Sequence, residues 1–124
     1  MTLDKNEIHR LVGELLKAIQ DGEPDSLLSF GVNPAIYEEV IEELDRSGEN
    51  ISDLTIPPYE TAFTPDLTGR IPLDGYELDS FPQTTRIACQ LWTGKEKTDL
   101  TLISDYSKKQ EGGASLTFRL LETQ

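Results

Sequence analysis

The chain has 124 residues, 11 of them basic and 23 acidic, for a formal charge of −12. This length suits a single α+β-sized domain, residues 1–124, that buries roughly two-thirds of the surface it exposes when unfolded. The charge argues against sequence-independent nucleic-acid binding, which needs clustered Lys and Arg; with no run of about 18 apolar residues, no membrane partner is expected either.

Met1–Arg10 is polar and charged, without the apolar core of a secretory signal. Apolar residues then recur at Ile8, Leu11, Val12, Leu15, Leu16 and Ile19, which predicts a first helix. Asp4 with Glu7 is a capping-box-like start, and Asp21-Gly22 a stop. Pro24 suits the first turn of a short second helix carrying Leu27, Leu28 and Phe30, closed by Gly31. Asn33-Pro34 opens a third, striped by Ile36, Tyr37, Val40, Ile41 and Leu44 and ended by Gly48.

After Gly48 the pattern changes. Ile51–Ile56 reads as a short strand ended by Pro57-Pro58. Six prolines and glycines fall within residues 57–75, which predicts a long loop with a strand near Arg70–Leu73. From Tyr76 the period is two. Tyr76 and Leu78 share one strand face, Ile87, Cys89 and Leu91 the next, with Arg86, Gln90 and Trp92 opposite. Leu100, Leu102 and Tyr106 line a third strand, and Leu116, Phe118 and Leu120 the last, with turns at Thr93–Lys97 and Lys109–Gly113. The expected fold class is α+β: N-terminal helices packed on one face of a C-terminal bent antiparallel meander.

Charge is uneven along this order. Residues 1–85 hold 5 basic and 18 acidic side chains, whereas residues 86–124 hold 6 basic and 5 acidic. The third helix is the most concentrated, with Glu38, Glu39, Glu42, Glu43 and Asp45, followed by Glu49 and Asp53. Glu38 and Glu42, like Glu39 and Glu43, are four apart and repel by a few tenths of a kcal/mol per pair. An acidic docking surface explains this ridge; a solvated helix face that keeps a small protein soluble explains it as well.

Other chemistry is sparse. A bundle-type metal site wants Glu-x-x-His pairs on several helices, and the single histidine, His9, is far from that spacing, so no metal or other cofactor is expected. His9 reads as a boundary histidine and Cys89 as a small buried hydrophobe; a lone cysteine suits a reducing, cytoplasmic compartment. Asn50-Ile51-Ser52 matches a glycosylation sequon that has no use without secretion. There is no phosphate-binding glycine loop, dinucleotide fingerprint or nucleophile elbow, so no catalytic residues are assigned and an enzyme is not expected. One enzymatic route stays open, a pocket in which Asp99, Tyr76 or Tyr106 does acid–base work.

The stretch from Leu91-Trp92-Thr93-Gly94 through Lys95-Glu96-Lys97-Thr98 to Asp99-Leu100-Thr101-Leu102 resembles a motif of a family of small bacterial proteins. It has a strand ending in Trp-Thr, a charged turn, then Thr-Asp-Leu-Thr-Leu opening the next strand. The Asp21-Gly22 break and the Pro57-Pro58 pair fit the same layout, so the likeness loosely covers most of the chain. That family is similar to the nuclear transport factor 2-like, or cystatin-like, roll, in which helices pack into the concave side of a bent sheet. The roll hosts isomerases, dehydratases, binding modules and immunity proteins, so the resemblance implies a fold and carries over no catalytic residues.

Small size, missing catalytic motifs and one-sided acidity favour an immunity protein. It would neutralise a cognate toxin, a nuclease with a basic groove, through Glu38, Glu39, Glu42, Glu43 and Asp45, with Tyr37 and Tyr59 as exposed aromatic anchors. Reversing Glu39, Glu42 and Glu43 to lysine is then expected to abolish protection. The competing reading is a protein of the same fold that binds or isomerises a small hydrophobic ligand, in a cavity lined by Ile87, Leu91, Leu102 and Phe118.

Overall fold

Asp4 begins the first helix as expected: its carboxylate accepts the Glu7 amide at 3.0 Å. The computed structural model describes residues 4–78, 81–94, 96–108 and 114–123. Helix α1 runs Lys5–Asp21 and buries Ile8, Leu11, Val12, Leu15, Leu16, Ala18 and Ile19 along one stripe. It stops at Gly22, whose φ of 67° is left-handed and favours glycine; a Cβ there would lie 3.0 Å from the Tyr37 hydroxyl, a tight contact that Tyr37 would have to yield to. Helix α2, Pro24–Ser29, buries Leu27 but leaves Leu28 56% exposed. Helix α3, Pro34–Ser47, is capped by Asn33, which accepts the Ile36 amide at 2.8 Å, and ends at Gly48.

The segment after Gly48 departs from expectation. Instead of a six-residue strand, Ile51–Asp53 is a turn of 3₁₀ helix and only Leu54–Thr55, β1, is extended. Asn50 causes the difference, because its side chain accepts the Ser52 amide at 3.0 Å and pulls the backbone into a turn. The expected long loop likewise contains a short helix, α4, Tyr59–Ala62, whose Ala62 is fully buried. The strand expected near Arg70–Leu73 starts at Leu73 and continues as β2, Leu73–Leu78.

Three longer strands follow, β3 (Phe81–Thr93), β4 (Glu96–Lys108) and β5 (Ala114–Thr123), all antiparallel. The sheet runs β3, β4, β5, with β1 and β2 both along the free side of β3, and it does not close into a barrel. The turn expected at Lys109–Gly113 lies outside the described residues. The chain is therefore α+β, with helices α1 and α3 on one sheet face and a continuous core between.

The β3–β4 and β4–β5 pairings each carry an irregularity that alters the strict alternation. Between the Gln90–Thr101 and Trp92–Lys97 pairs, Leu91 faces residues 98–100 of β4. Thr98 fills that irregularity: its hydroxyl donates to the Leu91 carbonyl at 2.7 Å and accepts the Leu100 amide at 3.1 Å. The β4–β5 bulge places an extra residue, Arg119, in β5 between the Ser104–Phe118 and Ile103–Leu120 pairs. Leu116 and Phe118 face the core as expected, but beyond the bulge the parity reverses, so Leu121 turns inward and Leu120 is 43% exposed.

Candidate functional site

Helix α3 is held on the sheet by its apolar stripe. Val40 and Leu44 are buried and Ile36, Tyr37 and Ile41 half-buried, which leaves the carboxylates on the outer side. Glu38, Glu39, Glu42 and Asp45 are exposed. Glu43 differs: the Thr123 hydroxyl of β5 donates to its Oε1 at 2.7 Å and Arg46 pairs with its Oε2 at 2.6 Å. The Thr123 hydrogen bond foremost, then the Arg46 charge, hold the Glu43 carboxyl below its ordinary value.

Between α3 and the end of β5 lies an open groove of about 270 Å³. Ile36, Val40, Phe118 and Leu121 form its apolar surface, and Glu39, Glu42, Glu43 and Arg46 stand along its helix side. Arg119 and Leu120 complete the strand side, both placed there by the β5 bulge. Arg119 is committed elsewhere, to Asp105 at 2.9 Å; Asp105 also takes Arg86 at 2.9 Å. Among the described residues Glu39 and Glu42 have no cation against them.

The expected partner-binding residues thus separate. Glu39, Glu42 and Glu43 come together on the groove, with Glu38 and Asp45 on the same helix but outside its lining. Tyr37 corrects the expectation of an exposed anchor. It is half-buried against the core, and its hydroxyl donates to the Ile19 carbonyl at 3.2 Å near the end of α1. Tyr59 is 42% exposed but belongs to α4, where it meets His9 and Phe63 edge-on, with ring centroids 5.6 Å apart in both pairs. Arg46, Arg119, Leu120 and Thr123 were not among the expected site residues. Arg46 lies three residues after Glu43 on α3, a spacing the sequence does carry; only the bulge and the α3–β5 packing bring Arg119, Leu120 and Thr123 there, and neither leaves a sequence signal.

The remaining candidates have structural uses. His9 Nε2 donates to the Pro57 carbonyl at 2.8 Å, pinning the segment before α4 to α1. Cys89 is fully buried, and burial pushes its thiol up to about 12. Tyr106 is 4% exposed and points into the core, its hydroxyl donating to Glu7 Oε1 at 2.6 Å. Burial first, then that bond, raises it to about 12. Tyr76 is 49% exposed on the opposite sheet face, and Asp99 is exposed at the β4 bulge, so the three acid–base candidates are not assembled. Ile87, Leu91, Leu102 and Phe118 are all buried in the core. The void beside Leu16, Leu44, Leu91 and Leu102 holds about 10 Å³, at most one water. No group of three or more metal-ligating side chains occurs among the described residues, and none of their helices is long and apolar enough to cross a membrane.

Compared with protein-family models, curated proteins and solved structures, the chain matches none.

Proposed function

We propose that this protein is a binding module that docks a basic partner protein on the α3–β5 groove, and that its biological form is an immunity protein neutralising a nuclease toxin in a reducing, cytoplasmic compartment. On this reading the fold is a nuclear transport factor 2-like roll used as a scaffold, with its interior filled by leucines and the docking chemistry on its rim. One observation carries the proposal: two carboxylates, Glu39 and Glu42, with no cation against them among the described residues, stand over an open groove that Ile36 and Leu121 also line. Opposite charge accelerates encounter, toward the order of 10⁸–10⁹ M⁻¹s⁻¹ at low salt, and apolar surface lets the docked side desolvate. The small-ligand reading draws no comparable support from the interior, where the void beside Leu91 and Leu102 is water-sized.

The test is affinity capture from the native cells at low and at high salt, with wild type beside a Glu38→Lys, Glu39→Lys, Glu42→Lys variant. Glu43 is left intact because it joins α3 to β5. A basic protein retained in near-equal amount by wild type, released by salt and lost from the variant supports the proposal. Equal retention by the variant, or no stoichiometric partner, refutes it.

A further inference from the structure

The groove has a shape and charge that single out one kind of side chain. Ile36 and Leu121 give it apolar surface beside the carboxylates, and its volume of about 270 Å³ has room for a single side chain. Its two native cations are already used, Arg46 by Glu43 and Arg119 by Asp105. Glu39 and Glu42, three apart on α3, lie side by side on the helix surface with no cation between them among the described residues. A guest must therefore bring an apolar stem and a cationic head able to serve two carboxylates at once. A guanidinium does so, since its planar fork of N–H donors can bond both, whereas an ammonium is a compact and more strongly hydrated point charge. Its methylene stem covers the apolar surface while the head stays at the rim.

We propose that the α3–β5 groove is a receptor for one arginine side chain of the partner protein, its stem on Ile36 and Leu121 and its guanidinium shared by Glu39 and Glu42. The inference deepens the docking reading and rests on it for the source of the arginine. Self-association is a poorer source, because each copy carries −12.

The probe is N-acetyl-arginine amide, titrated into isotopically labelled full-length protein and followed by NMR. N-acetyl-citrulline amide, which has the same shape without the charge, and N-acetyl-lysine amide serve as comparisons. Saturable shifts at Ile36, Val40, Leu120 and Leu121 with the arginine probe alone are expected. They should disappear in a Glu39→Gln, Glu42→Gln variant and persist in Glu38→Gln, which changes a neighbouring carboxylate outside the groove lining. No response at the groove, an equal response to citrulline or lysine, or an unchanged response in the double variant overturns the inference. Failure of this probe together with salt-sensitive, α3-dependent capture of a basic protein overturns the arginine receptor and leaves the docking reading standing. An arginine response without any captured partner supports the receptor and refutes the docking reading.

Discussion

Thr123 Oγ1, near the end of β5, donates to Glu43 Oε1 on α3 across 2.7 Å, joining two residues 80 positions apart. This bond fixes one side of the candidate groove and removes Glu43 from the set of carboxylates free to meet a partner.

Its removal has a signed consequence for pH. Glu43 is held below its ordinary value of 4.5, so its contribution to stability is present above that value and is lost as pH falls through the lower, folded value. In Thr123→Val the largest cause of the depression is gone. NMR titration of the Glu43 carboxyl is expected to move upward, and the contribution of this group to acid stability to shrink. An unmoved titration in the variant rules out the bond as the cause.

Tyr106 behaves with the opposite sign. Its hydroxyl is raised from an ordinary 10.0 to about 12, so the stabilisation it represents is complete below pH 10 and is lost as pH rises toward 12. Ultraviolet titration should show one tyrosine ionising near pH 12 rather than at the ordinary 10.0. Tyr106→Phe removes the late step and, by losing the bond to Glu7, costs about 1 kcal/mol.

Cys89 is expected to resist a thiol reagent in native buffer at neutral pH and to react fully once the protein is unfolded. Its side chain is 0% exposed, and its thiol is raised to about 12. Rapid stoichiometric labelling of the native protein would contradict the buried assignment.

The β5 bulge predicts unequal costs for two leucines that alternation treats alike. Leu116→Ala, at a residue 2% exposed, should cost about 3 kcal/mol in denaturant unfolding. Leu120→Ala, at a residue 43% exposed, should stay within about 0.5 kcal/mol. Equal losses would restore strict alternation and remove Arg119 from its bulged position.

Helices α1 and α3 were legible from the chain because their causes are local. Asp4, Asn33, Gly22 and Gly48 act within a few residues of themselves, and a 3.6-residue stripe needs no partner to be recognised. The later strands were legible for a similar reason, since Ile87, Cys89 and Leu91, all buried, recur at every second residue over one short run. The Ile51–Ile56 segment misled because its β-branched residues suit a strand, while the Asn50 side chain offered a turn at no distance.

The sequence by itself determined the α+β order, the limits of α1 and α3, the −12 charge and its concentration on one helix, because these depend on composition and on neighbours a turn or two away. Tertiary structure alone decided where that charge points and what stands beside it. Strand register moves every later side chain across the sheet when one residue is inserted, so the bulge at Arg119 turned Leu120 outward and set the far wall of the groove. It also drew Tyr37 into the helix contact and paired Glu43 with Thr123, a choice between docking and structural roles that depends on packing between elements 80 residues apart.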